Sequence, residues 1–242
     1  MISRVIKTNK TGISWTDLTW NPVSGCTKVS EGCKFCYAEA WAKRFGRSFE
    51  PTFHEGRLKE ARKIPSGSKV FVNSMSDLFH EKISFPDINA VFNEMRNRND
   101  VIFQILTKRP ERALEYSKMY RSFPPNVWIG VSVESEKYKS RIDILRNILA
   151  INRFVSFEPL IGDIGKVDLS HIKWIIIGGE SGPHHRPMDI EWARSIVWQA
   201  KEQNVAVWMK QLGGIRPGGN IEDFPEDLRL REFPEMKVIK NE

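Results

Sequence analysis

The stretch WTDLTWNPVSGCTKVSEGCKFCY (15–37) carries Cys26, Cys33 and Cys36, the three cysteines of the 242-residue chain, spaced C-x6-C-x2-C within eleven positions. Three thiolates with no fourth suit a metal centre that leaves one coordination position to a non-protein ligand. A disulfide would leave one thiol over. A structural zinc site closes with four protein ligands and would need a histidine here; His54 and His80, the nearest, stand at no customary finger spacing. An iron–sulfur cube on three cysteines keeps one iron free for a small molecule and so becomes a site of chemistry. The cluster is the favoured reading, with zinc and inert or disulfide-bonded cysteines as its alternatives.

Outward from this loop, seven apolar, β-branched segments recur at 14–20, 69–73, 101–106, 127–133, 154–157, 174–177 and 206–210. Helix-like stretches lie between them at 38–47, 85–98, 110–119, 136–151 and 189–202. Short strands alternating with helices predict an α/β fold with a parallel sheet and right-handed crossovers, a (β/α) barrel or partial barrel. Runs such as WIIIGG lack polar alternation, as in strands covered on both faces. Pro86 with Asp87 and Pro110 with Glu111 mark helix starts. Residues 1–212 read as one barrel-like domain with the cysteine loop at 21–37. The Gly- and Pro-rich segment 213–242 reads as an irregular extension packing on the barrel.

In parallel sheets the ligand site gathers at the carboxyl ends of the strands, and those ends are polar here. Asn73, Ser74, Ser76 and Asp77 follow the second strand; Thr107, Lys108 and Arg109 the third; Ser132 and Glu134 the fourth; Ser156 and Glu158 the fifth; Gly178, Gly179, Glu180 and Ser181 the sixth; Lys210 and Gln211 the seventh. Each has a bland alternative, such as Asp77 capping a turn, Glu158 pairing with Lys108 or Arg109, or Glu134 standing in solvent. Their shared position strengthens the ligand reading.

The run TWNPVSGCTKVSEGCKFCYAEAWAKRF (19–45), with SMSDLF (74–79), ILTKRP (105–110), SFEPL (156–160) and GGESG (178–182), resembles the phage-associated three-Cys-motif family (DUF5131-like), which is similar to radical S-adenosylmethionine (SAM) enzymes. Those enzymes usually space their cysteines C-x3-C-x2-C with an aromatic after the last; this chain keeps C-x2-C and Tyr37 but has six residues in place of three. The resemblance implies a [4Fe-4S] cluster on Cys26, Cys33 and Cys36, SAM chelated at the open iron, and cleavage to a 5′-deoxyadenosyl radical. It assigns Ser74, Ser76 and Asp77 to the methionine amino group, Ser132 and Glu134 to the ribose, and Tyr37 to the neighbourhood of the adenine. The Gly-Gly-Glu triplet that such enzymes carry after the second strand stands after the sixth here, so Gly179 and Glu180 join the candidate cofactor contacts. Glu158, Lys108 and Lys210 are the candidate catalytic residues, and Arg109 and Arg186 join the two lysines in facing an anionic substrate. An electron donor is required, and a partner protein is implied by the family.

A net charge of +7 makes polyanions natural partners, and with the phage association it leans towards a nucleic acid or nucleotide substrate. Between Lys34 and Lys63 eight Lys or Arg interleave with Phe35, Tyr37, Trp41, Phe45, Phe49 and Phe53. Such a pattern either stacks bases and holds phosphates or forms the buried stripe and wet face of an amphipathic helix. No apolar run approaches the ~20 residues of a membrane span, and MISRVIKTNK (1–10) lacks the apolar stretch of a secretion signal, which predicts a soluble cytoplasmic protein. Beside the cluster enzyme stand two other readings: a zinc-pinned nucleic-acid module, and a barrel hydrolase or lyase working through Asp77, Glu134 and Glu158 without a redox centre.

Overall fold

The computed structural model describes residues 11–120 and 122–235. The N-terminal decapeptide and positions 236–242 of the expected extension lie outside the described residues. All seven expected strands form, as β1 (Leu18–Trp20), β4 (Lys69–Val72), β5 (Ile102–Thr107), β6 (Val127–Ser132), β7 (Asn152–Phe157), β8 (Trp174–Gly178) and β9 (Ala206–Gln211). They make one parallel sheet in the order β1-β4-β5-β6-β7-β8-β9. Helices α1 (Tyr37–Arg44), α2 (Phe85–Arg96), α3 (Pro110–Tyr120), α4 (Ser140–Asn147) and α5 (Ile190–Glu202) fall in the intervals.

The sheet is rolled. Trp15, just ahead of β1, meets Trp174 of β8 with ring centroids 6.0 Å apart, although five strand steps in a flat sheet would separate them by roughly 24 Å. Trp208 Nε1 of β9 donates to Ser14 Oγ at 3.1 Å, which ties the two edges together below. The result is a partial barrel.

Period-two alternation sorts the strand residues. One phase, including Val70, Val72, Phe103, Ile105, Val127, Ile129, Val155, Ile175 and Val207, packs against Ile88, Val91, Phe92, Tyr116, Ile142 and Ile196 of the helices. The other phase fills the barrel interior with Phe71, Trp128, Phe154, Trp174, Ile176 and Trp208, then turns polar toward the carboxyl ends. Gly130 makes room inside: a Cβ there would lie 2.5 Å from the Phe154 ring.

Three differences from the sequence reading have local causes. The first strand is short because Thr16 Oγ1 donates to Leu18 O and Lys69 O and Asp17 accepts from Lys69 N, which turns residues 14–17 away from the ladder. The segment 136–151 is a 3-10 turn (Glu136–Tyr138) followed by α4, because Ile148 and Ala150 bury beside the core and end the helix early. A small antiparallel pair, β2 (Val23–Ser24) with β3 (Thr52–Phe53), also forms; it closes the base of the cysteine loop. Between β3 and β4 the chain makes a 3-10 segment, Glu55–Lys63.

The segment after Gly213 packs along the β9 edge. Met209 N donates to Leu230 O, Glu232 N to Val207 O, and Trp208 bridges Arg231 antiparallel. Phe224 and Leu228 enter the main core, and the Phe233 ring packs at a tilt against Trp174 and Trp208 with centroids 5.3 and 4.8 Å away. An exposed edge strand is thereby covered.

Candidate metal and ligand site

Gly25 sets the entry to the cysteine loop. Its φ of 78° suits glycine, and a Cβ would overlap the carbonyl oxygens of Glu50 and Phe49. That close approach lets Cys26 N donate to Phe49 O at 3.1 Å, while Gly25 bridges Ser76 beyond β4. Arg109, 5% exposed, then clamps the next turn. It donates to Thr27 Oγ1 (2.9 Å) and Thr27 O (3.2 Å), reaches Cys26 Sγ at 3.7 Å, and is held by Glu81 at 3.1 Å. Burial and the nearby Asp77 carboxylate push the Cys26 thiol up to about 11, against the pull of Arg109.

Cys33 is held from the opposite wall by Glu134. This carboxylate has no exposed surface and accepts from Ser30 Oγ (2.6 Å), Lys108 Nζ (2.8 Å) and Arg141 Nη1 (2.8 Å). Gly32 has no side chain to obstruct it, since a Cβ would lie 2.6 Å from Glu134 Oε1. Lys108 Nζ reaches Cys33 Sγ at 3.9 Å. Burial raises the Cys33 pKa, but the Lys108 charge and hydrogen bonds from Val29 and Ser30 outweigh it and leave the thiol below its ordinary value. Burial likewise opposes the Lys108 ammonium, and Glu134 with Cys33 overcomes it.

Cys26, Cys33 and Cys36 are all free and all line one cavity of about 480 Å³ at the carboxyl end of the sheet. Tyr37, Ser74, Ser76, Asp77, Lys108, Arg109, Ser132, Glu158, Gly179, Glu180 and Lys210 share its wall, so the structure brings together every candidate site residue but Glu134 and Arg186. Glu134 faces the cysteine loop from outside the lining, its oxygens taken by three partners, and Arg186 is held by Glu180.

Partners differ sharply among the cavity residues. Asp77 accepts from Thr107 Oγ1, Lys108 N and Phe79 N within 3.0 Å; Glu180 accepts from Arg186 N and Nε at 2.9 and 2.8 Å. Ser74 Oγ donates to Asn21 Oδ1 at 3.2 Å, Ser76 Oγ to Val23 O at 2.8 Å, and the Tyr37 hydroxyl to Ser74 O. Desolvation of that hydroxyl raises the Tyr37 pKa, although the ring itself stands largely in solvent. Glu158 has one ion-pair partner, Lys210. Arg186 also donates to Glu31 O at 3.0 Å, which pins the β8 loop to the cysteine loop. Three cavity-lining residues, Trp15, Asn73 and Ser156, carry buried polar atoms without a partner (Nε1, Nδ2 and Oγ). Unsatisfied buried groups are costly and call for an unseen polar ligand or water.

Among the described residues no group of three or more His, Cys, Asp or Glu is gathered to hold a metal ion; three cysteines on one cavity wall are the donor type that an iron–sulfur cluster takes. The two histidines nearest in sequence have other partners: His80 Nε2 pairs with Thr27 Oγ1 and its Nδ1 accepts from Lys82 N, and His54 Nε2 pairs with Ser24 Oγ. Burial and Arg109 hold the His80 pKa below its ordinary value. Arg109 and Lys108 beside two sulfurs offset thiolate charge. The sequence reading gave no role to Gly25, Ser30, Gly32 or Arg141; glycines directly ahead of Cys26 and Cys33 were the available signal.

The chain matches the family model described as "Protein of unknown function (DUF5131)" over residues 10–232 and belongs to that family. No curated protein matches it. Similar solved structures include spore photoproduct lyase complexed with dinucleoside spore photoproduct (11% identity, TM-score 0.47) and a double mutant of spore photoproduct lyase with bound AdoMet and dinucleoside spore photoproduct (12% identity, TM-score 0.45). Each match covers 83% of this chain and 65% of the other, so the chain spans about two-thirds of those structures.

Among the described residues no helix is long and apolar enough to cross a membrane.

Proposed function

We propose that this DUF5131 chain is a radical SAM enzyme holding a [4Fe-4S] cluster on Cys26, Cys33 and Cys36 and acting on a nucleic acid or nucleotide. The observation that carries the reading is that three free thiols and the residues bearing three orphaned buried polar atoms line the same 480 Å³ cavity. When bound, such a cluster supplies the electron that splits the SAM sulfonium into methionine and a 5′-deoxyadenosyl radical.

The chain's own residues have separable tasks. Arg109 and Glu134 fix the two halves of the cysteine loop from opposite walls, the first at Cys26–Thr27 and the second through Ser30 and Lys108. Asn73 Nδ2 and Ser156 Oγ offer polar contacts to a ligand's amino, carboxylate or ribose groups, with Ser74, Ser76 and Asp77 shaping the methionine end and Tyr37 the adenine end. Ser132 and the Gly179–Glu180 turn border the ribose. Lys210 meets an anionic group at the rim, and Glu158 Oε1, with one protein partner, holds or exchanges a proton there. Pro159, Phe35 and the β8 loop add wall to the cavity, which would shield a radical from water once substrate fills its mouth. The proposal puts the protein in a reducing, cytoplasmic compartment with a low-potential electron donor. A partner protein rests on the family resemblance alone.

Anaerobic reconstitution tests this. Iron and sulfide near four per chain, lost in Cys33→Ala, with 5′-deoxyadenosine formed from SAM and dithionite, is the expected result. Stoichiometric zinc, or no 5′-deoxyadenosine from a fully loaded protein, overturns it.

A further inference from the structure

The helix that follows Cys36 is laid on the protein the unexpected way round. In α1 the buried side chains are Ala38 and Ala42, while Tyr37, Trp41 and Phe45 are 57%, 42% and 55% exposed. These rings stand four residues apart and therefore share one face; Trp41 and Phe45 are in contact at 4.9 Å. An amphipathic helix ordinarily buries its aromatics and exposes its small and polar residues. Here the aromatic stripe faces solvent and runs about 12 Å outward from the cavity mouth, where Tyr37 lines the wall.

Cations attend the stripe. The Arg47 guanidinium lies 4.9 Å from the Trp41 ring centre and that of Arg44 lies 5.8 Å from Phe45, with Lys34 5.2 Å over Phe35. None of Lys34, Lys43, Arg44 and Arg47 has a carboxylate partner among the described residues. The nearby acids are spent: Glu31 pairs with Lys137, Glu39 with Lys28 and Glu50 with Lys82. Exposed rings with unneutralised cations beside them are what an apolar protein surface would leave desolvated and uncompensated, and what a polyanion bearing flat aromatic bases would satisfy twice over.

We infer that the Tyr37–Trp41–Phe45 face of α1, flanked by Lys34, Lys43, Arg44 and Arg47, is a stacking platform for single-stranded nucleic acid leading into the cavity. The inference deepens the proposed function, on which it rests for its substrate class, and it adds a surface outside the cavity. Bases stack on Trp41 and Phe45, phosphates meet Arg44 and Arg47, and the strand delivers one nucleotide past Tyr37 toward Glu158 and Lys210.

Fluorescence anisotropy of the reconstituted full chain with labelled single strands of about a dozen nucleotides, DNA and RNA in separate arms, tests it. Trp41→Ala with Phe45→Ala is expected to weaken binding about tenfold or more, while Trp41→Phe retains it. Arg44→Gln with Arg47→Gln is expected to flatten the log-affinity against log-salt slope by about 1.4, two phosphates' worth. Because these side chains are exposed, an unchanged melting temperature certifies the fold. Loss with either polymer supports the platform and identifies that polymer. Affinity and slope unchanged in both double variants, or a change only in self-association by sedimentation, overturns it. The two readings fail separately: strand binding without 5′-deoxyadenosine sinks the reaction and leaves the platform, and 5′-deoxyadenosine without stripe-dependent binding does the reverse.

Discussion

Removing the Glu134 carboxylate should unsettle the fold and the cysteine loop together. Three groups converge on it, Ser30 Oγ at 2.6 Å, Lys108 Nζ at 2.8 Å and Arg141 Nη1 at 2.8 Å, and the carboxylate has no exposed surface. In Glu134→Ala the Arg141 guanidinium, with 9% of its side chain exposed, keeps the Ser132 carbonyl at 2.7 Å and the Tyr138 ring at 4.4 Å but loses its carboxylate. Lys108 keeps 20% exposure through which to find water. Breaking a buried pair costs about 3–5 kcal/mol because an uncompensated charge remains; since Lys108 can be partly rehydrated, the lower half of that range applies. For a chain of this size it corresponds to a fall in melting temperature of roughly 6–16 °C. Glu134→Gln keeps an acceptor for Ser30 and should cost less. A double-mutant cycle with Arg141→Met isolates the pair, since a buried cation no longer remains in the double variant; its coupling should exceed about 1 kcal/mol. Thermal and urea unfolding of the metal-free chain supply these numbers, and iron content after reconstitution should fall in parallel because Ser30 no longer fixes the turn bearing Cys33. A Glu134→Ala loss below about 1 kcal/mol would show the network to be solvent-screened and refute the positioning argument.

Gly25→Ala combines a φ of 78° with overlap against two backbone carbonyls, so we expect destabilisation of at least about 1–3 kcal/mol and poor iron retention; wild-type loading would count against the tight loop base. Gly130→Ala should cost about 1–3 kcal/mol by overpacking against Phe154, 2.5 Å away, and adding Phe154→Leu should recover part of it in denaturant melts. In the metal-free protein near pH 8, Cys33 should alkylate well before Cys26. With its pKa near 11 Cys26 is only about 0.1% thiolate there, whereas Cys33 lies below its ordinary value; raising the pH toward 11 should close the gap. Mass spectrometry of iodoacetamide adducts reads the order, and Cys26 reacting first would contradict the assigned environments.

The seven strands were legible because their helix-facing phase is apolar and mostly Val, Ile and Phe, as in Ile175 and Ile177, and because polar residues begin where each strand ends. The β2–β3 pair was not, since two residues per strand carry no period and its partners stand far apart in sequence, Val23 against Phe53 by 30 positions and Ser24 against Thr52 by 28. Residues picked out at the strand ends, Ser74, Ser132, Glu158 and Lys210 among them, line one cavity with the three cysteines. Strand-end position could not tell which carboxylates were already engaged. Asp77 is claimed by Thr107 from 30 residues away and Glu134 by Ser30 from 104, distances at which a sequence gives no pairing signal.

The same limit explains the aromatic run after Cys36. Periodicity shows that Tyr37, Trp41 and Phe45 share a face, and ordinary amphipathicity turns that face inward. Here the face turned inward is the small one, Ala38 and Ala42 at 4% exposed each, and the rings take the outward face. Small residues on a shared face are therefore the readable sign, and here they alternate with the rings along the helix. On the stacking proposal, a bound nucleic acid recovers part of the transfer free energy, about 2 kcal/mol on full burial, that each of these part-exposed rings has to gain. The residue order makes that molecule's contact continuous with the cysteine loop, because Tyr37 belongs both to the outward stripe and to the cavity wall.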